Sequence, residues 1–279
     1  MRVLTSLSIV FLLSIGFQNC DSGFAVGAVS SDEDRAQAPN DATELESGLH
    51  FFGFAKAAID DPDEQKRRAV DANARVSQSI ASWGRFQIDT LSESLSSDPS
   101  QLTVNKEVVM KRLRDYATRL KAEDTIVIYS HSHGVASRLA PNGSVSEGGM
   151  LVGIEPGAGK MTWSEYANLI LNLPAKNVIV FTMACYSGQL IEILNTPAFK
   201  ARWENRRAQN RSFVVITAQN SERIAGPANI GGVMMNALPY AVEQAFLGGA
   251  DGYQDERYRG VLDGRITFGE LIYFALQVS

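Results

Sequence analysis

The sequence predicts an α/β domain built on a mostly parallel central sheet flanked by helices. Short apolar runs rich in β-branched residues, Ile126–Tyr129, Val178–Met183 and the run within "SFVVIT", alternate with longer segments of helical apolar spacing, the pattern of a parallel sheet with helical crossovers. Each of the three runs breaks abruptly into polar residues, "SHSHG", "ACYSG" and "TAQNSE". In open α/β sheets ligands bind beyond the carboxyl ends of the strands, so these three ends are expected to meet at one cleft. With 279 residues and 45% hydrophobic content, the chain can bury one large core.

The elements follow in order. "MRVLTSLSIVFLLSIGFQNC" has a basic Arg2, then an apolar run from Val3 to Phe17, and then polar residues. This is the layout of an export signal, and the run is short for a membrane span. Cys20 stands where a bacterial lipoprotein signal carries its lipidated cysteine, although Phe17-Gln18-Asn19 departs from the usual small residues before it. Residues 1–20 are therefore expected to direct export, with membrane attachment through a lipid on Cys20 in the cell envelope, or else release to the periplasm or medium. Residues 21–48 are rich in Ser, Asp, Glu, Ala and Pro and are expected to form a flexible acidic linker, since they cannot bury enough apolar surface to offset their ordering entropy.

The folded domain is expected over residues 49–279. "LHFFGFAKA" reads as its first strand, "RRAVDANARVSQSIASW" as a helix with an apolar stripe at Val70, Ala74, Val76, Ile80 and Trp83, and "VVMKRLRDYATRL" as a second amphipathic helix feeding the strand that ends at Tyr129. "MLVGI" suggests a small hairpin. In "TWSEYANLILNL", Thr162 followed by Glu165 is a capping-box signature. "FKARWENRRAQNR" reads as helix and loop, its Lys200, Arg202, Arg206, Arg207 and Arg211 a solvated basic face.

Charge and motifs exclude several functions. A net charge of −5 without a stripe of interleaved basic and aromatic residues argues against nucleic acid as a partner. "GIEPGAGK" lacks the first glycine of a phosphate-binding loop, with Ile154 in its place. "LDGRITFGE" resembles the end of a calcium loop at Asp263, Gly264 and Glu270, but Arg259 and Val261 stand where the opening ligands belong, so a helix cap is expected instead. No metal site and no cofactor is expected.

The chemistry turns on whether "SHSHG" supplies a nucleophile or a base. Ser132 as the nucleophile of a serine hydrolase would need a histidine further along the chain, and the three histidines, His50, His131 and His133, all lie at or before residue 133. A thiol needs less, because one imidazole that takes its proton is enough to activate it. Cys185 follows His133 by 52 positions, close to the spacing of roughly 50 that separates His and Cys in caspases.

"IVIYSHSHG" resembles the strand and His-Gly of the caspase-like cysteine peptidases, the group that includes legumains, metacaspases and gingipains. "NVIVFTMACYSG" is similar to their nucleophile strand, and "VVITAQNSE" resembles the next strand of legumains, which enters the substrate cleft. The resemblance implies a caspase-like three-layer sandwich and cleavage of peptide or protein substrates through an acyl-enzyme. It assigns His133 as general base, Cys185 as nucleophile, and the N–H groups of Gly134 and Cys185 as the oxyanion hole. Met183 stands where the family carries an acidic or amide side chain lining the S1 pocket, which argues against strict recognition of Arg or Lys. Gln219, Ser221 and Glu222 are expected to supply polarity from the neighbouring strand. His50 and His131 are expected to be structural. The competing reading from another class is a catalytically inactive binding module that keeps the fold.

Overall fold

The computed structural model describes residues 26–27, 48–56, 63–82, 86–92, 104–139, 142–152, 159–218, 244–255, 258–262, 265–266, 270 and 273–274. Five parallel strands form the centre of the molecule: β2 (Leu49–Lys56), β3 (Phe86–Ser92), β4 (Thr125–Val135), β9 (Asn177–Met183) and β10 (Ser212–Thr217), in the spatial order β10-β9-β4-β2-β3. Beyond Ser132, β4 runs on past its parallel partners and pairs antiparallel with β7 (Gly149–Leu151), which pairs in turn with β8 (Lys160–Thr162), making seven strands in all. A two-residue ladder joins β5 (Arg138–Leu139) to β6 (Val145–Ser146), and another joins β1 (Val26–Gly27), within the segment expected as a linker, to β11 (Arg265–Ile266).

Alternation along the strands splits the core in two and creates three layers. Phe52, Phe54, Ile126, Ile128, Val178, Val180, Phe213 and Val215 face α2 (Lys106–Arg119), α3 (Trp163–Leu171), α4 (Gly188–Leu194) and α5 (Pro197–Ala208). Phe51, Val127, Tyr129, Ile179, Phe181, Met183 and Ile216 face α1 (Asp63–Ala81) and the π-helical turn Ala245–Gly249. Strands covered on both faces must be apolar on both, hence continuous runs such as "IVIY". Burial of each such Phe, Ile or Val contributes about 1.5–3 kcal/mol. The fold is thus α/β with a mostly parallel, helix-flanked sheet, as the sequence predicts.

Local signals account for the helix ends. Asn105 caps α2 by accepting from the Val108 N–H at 2.9 Å. The expected capping box opens α3: Thr162 Oγ1 accepts from the Glu165 N–H at 3.1 Å while Glu165 Oε2 accepts from the Thr162 N–H at 2.8 Å. The buried stripe of α1 is Ala69, Ala72, Val76 and Ile80, so Val70 and Ala74 lie to its side.

The reading of the basic segment as a solvated face is corrected at Arg206. This residue is 5% exposed and donates to the carbonyls of Leu173 and Ala175 at 2.5 and 2.8 Å. Its guanidinium donors thus satisfy backbone carbonyls of the segment that follows α3. Arg211 does the same at Pro174, and Arg202 binds Asn168 and Asn172. Glu270, 1% exposed, accepts from the N–H groups of Gly252 and Val261 at 2.9 and 3.0 Å and so organises that loop. Asp263 and Gly264 lie outside the described residues.

Candidate functional site

The site lies beyond the carboxyl ends of β4 and β9, beside the point between β2 and β4 where the strand order reverses. β4 and β9 are parallel neighbours whose register pairs Tyr129 with Phe181 and His131 with Met183. Side chains two residues apart share a face. Tyr129, Phe181 and Met183 all pack on the α1 side, and Ala184 packs on the other. The alternation therefore aims His131 and His133 toward the α1 side, while Cys185 stands two residues after Met183, in the turn just past the end of β9.

Gly134 brings the two segments into contact. A Cβ at this position would lie 3.1 Å from the Cys185 nitrogen and 2.8 Å from its carbonyl carbon, and would collide with its carbonyl oxygen. Only a residue without a side chain lets the backbone after His133 approach the backbone of Cys185 this closely. The glycine of "HG" thus has a packing reason that is independent of any family pattern.

Cys185 itself sits in a sharp strand–turn–helix connection. The Ser187 N–H donates to the Ala184 carbonyl at 3.3 Å, closing a turn with Cys185 and Tyr186 at its centre, and α4 begins at Gly188. Tyr186 has φ 56°, the left-handed region that position i+2 of a type II turn requires and that a bulky side chain rarely adopts. Such strain costs about 1–3 kcal/mol and collects at functional sites. Cys185 is a half-buried thiol in no disulfide.

The remaining site residues separate clearly. Ser132, 7% exposed, belongs to the face opposite His133, and its hydroxyl donates to the Leu151 carbonyl at 2.5 Å. His131 keeps some exposed surface, yet the packing around its imidazole pushes its pKa down to about 4, with nearby His133 adding to the shift. Its Nδ1 lies 3.5 Å from the Tyr129 hydroxyl, whose own ionisation burial pushes up. Met183, expected to line the S1 pocket, is 2% exposed and belongs to the core on the α1 side, two residues before Cys185. Gln219, Ser221, Glu222 and Cys20 lie outside the described residues.

Sequence reasoning missed the strained Tyr186, which no turn-forming residue type announces, and the polar tie between the two loops made by Ser137 and Gln189. Gln189 Oε1 accepts from both the N–H and the hydroxyl of Ser137 at 3.1 Å.

Comparison with known proteins adds little to this geometry. Neither a protein-family model nor a curated protein sequence matches the chain. Among solved structures, protein GSU0716 from Geobacter sulfurreducens aligns with a TM-score of 0.45 and 12% identity, over 73% of this chain and 83% of its own, a likeness too weak to carry an argument.

Proposed function

We propose that the chain is a caspase-like cysteine endopeptidase that works through a Cys185/His133 dyad. The observation that carries this reading is the contact of Gly134 with Cys185: it joins the two segments that hold a thiol and an imidazole, next to a turn strained at Tyr186. His133 takes the Cys185 proton, and the sulfur attacks the peptide carbonyl carbon, forming a C–S bond as the carbonyl electrons move to oxygen. The N–H groups of Gly134 and Cys185 receive that oxyanion. Collapse breaks the C–N bond, and the amine leaves with the proton from His133. Water, giving its proton to His133, then attacks the thioester carbon. The new C–O bond forms, the C–S bond breaks, and the acid leaves while the Cys185 thiolate recovers the proton from His133.

Two other readings are weaker. Ser132 is disfavoured as a nucleophile because it faces away from both histidines of its strand and already donates to a backbone carbonyl. A binding module that has lost activity draws on the burial of Met183, which leaves no polar side chain at the position where the family recognises P1. Export with a lipid on Cys20 remains part of the proposal; among the described residues no helix is long and apolar enough to cross a membrane.

The test is hydrolysis of a fluorogenic peptide library varied at P1 by the full chain. Cys185→Ala and His133→Ala are expected to lower kcat at least ~10³-fold, as loss of a nucleophile or its base does, with Ser132→Ala within about twofold of the parent. Turnover that survives Cys185→Ala and vanishes in Ser132→Ala would establish the serine hydrolase, and no turnover of any peptide would favour the binding module.

A further inference from the structure

Besides the Gly134–Cys185 contact, a side chain links the turn that carries Cys185 to the loop that follows His133. Gln189, in the first turn of α4, donates its backbone N–H to the Tyr186 carbonyl at 3.0 Å, which makes it part of the strained turn. Its side-chain Oε1 reaches across to the other loop and accepts both donors of Ser137, three residues after Gly134. The Ser137 hydroxyl oxygen accepts in turn from the Gly148 N–H at 2.9 Å, and the Gly148 carbonyl accepts from the Trp163 N–H at 3.2 Å where α3 begins.

Gly148 marks how closely these parts converge. A Cβ there would lie 2.5 Å from the Val135 carbonyl oxygen and 2.7 Å from the Ser137 nitrogen, and would collide with Gln189 Oε1. The β4 extension, the approach to β7 and the first turn of α4 therefore meet at one point, and Gln189 supplies the acceptor that joins them. An amide oxygen has two lone pairs and so satisfies both Ser137 donors. A methionine has similar length but accepts weakly, whereas a glutamate keeps the acceptor.

We propose that Gln189 is a positioning residue for the reaction: by holding Ser137 it keeps the Gly134 N–H and the Cys185 N–H aimed at the same oxyanion. This rests on the Cys185/His133 reading. Its consequence is specific to acyl chemistry. Peptide hydrolysis builds charge on the carbonyl oxygen and depends on the two N–H groups, whereas displacement of iodide from iodoacetamide by the Cys185 sulfur builds none. A residue that only supported the fold would affect both reactions, and stability, together.

The experiment compares the full chain with Gln189→Met and Gln189→Glu by three measurements. In Gln189→Met, exchange of the Ser137 and Gly148 amide hydrogens is expected to quicken about tenfold or more, reporting release of the loop. The kcat for peptide hydrolysis is expected to fall about tenfold with KM within about twofold, a fraction of the ~10²–10³ that outright loss of an oxyanion donor costs. The rate of Cys185 alkylation by iodoacetamide is expected to stay within about twofold, and Gln189→Glu to restore both exchange protection and kcat, because the acceptor returns. Unchanged amide exchange in Gln189→Met, or quickened exchange with unchanged kcat, overturns the proposal. So does an equal fall in hydrolysis and alkylation. Failure of the underlying peptidase reading shows earlier and elsewhere: the parent protein has no turnover, or Cys185→Ala retains it.

Discussion

His50 and His133 occupy opposite ends of the same sheet and are held by different means. At the amino end, His50 Nε2 lies 3.3 Å from Asp124 Oδ2, and the same carboxylate accepts from the N–H groups of Gly48 and Lys121 at 2.9 and 2.8 Å. Burial lowers the His50 pKa, with Asp124 opposing the shift. This network ties three chain segments together. At the carboxyl end, the chain spends stability instead: Tyr186 is strained, Gly134 gives up its side chain, and Gln189 fastens two loops over a gap too narrow for a Cβ. The contrast teaches how to separate histidines that look alike in sequence. One whose partner is a carboxylate already satisfied by backbone donors serves the fold, and one followed by an obligatory glycine that meets a strained turn is the candidate for chemistry.

The comparison breaks most visibly at Gly134. In Gly134→Ala the new methyl and the Cys185 carbonyl cannot both keep their places, so the turn must shift. A displacement of about 1 Å at reacting groups costs on the order of 10²-fold in rate, and that loss in kcat is the expected outcome. Steady-state hydrolysis at saturating peptide measures it, and a variant with the parent kcat would mean that the close approach has no bearing on the reaction.

Acid should expose His131 next. Its folded pKa, about 4, lies below the ordinary value of 6.5, so between these two pH values the unfolded chain binds more protons than the folded one. The stability that comes from keeping His131 neutral is intact above pH 6.5 and is lost as pH falls toward 4. Allowing for partial screening by solvent, the loss amounts to about 2–3 kcal/mol. Urea melts at pH 7 and pH 4 are expected to differ less in His131→Gln than in the parent by that amount. Equal pH dependence in the two proteins would place the acid sensitivity elsewhere, with His50, whose pKa burial also lowers, the first alternative.

The smallest effect belongs to the amino end. Asp124→Asn keeps one carbonyl acceptor but loses the charge that holds His50 and the second backbone donor, which should lower stability by about 1–2 kcal/mol. Its kcat should stay within about twofold of the parent, since the substitution lies at the far end of β4 from His133. A selective fall in kcat without a change in the melt would undo the division of labour between the two ends.

Much of this arrangement was legible from residue types alone. Buried parallel strands must be apolar on both faces, so "IVIY" and "VIVF" announced themselves, and the abrupt change to polar residues marked the ends where ligands bind. Strand β3 escaped notice because "FQIDTLS" lies at the sheet edge with half-exposed side chains, where no buried face imposes a pattern. Helix α4, seven residues long, is too short for helical periodicity to stand out.

His133, Gly134 and Cys185 could be selected as candidates from the sequence, because their chemistry and their places at strand ends are local properties. Which side chains share a face, and which backbones touch, depends on register between strands about 50 residues apart, and no local signal encodes that. Only the tertiary structure put Ser132 on the far face, sank Met183 and Arg206 into the interior, and brought Gln189 to Ser137. The physical reason is the period of two along a strand. A shift of one residue in pairing would set a serine of "SHSH" against Met183 in place of His131 and turn both histidines to the other face, and the register that prevents it is set by the packing of the whole sheet.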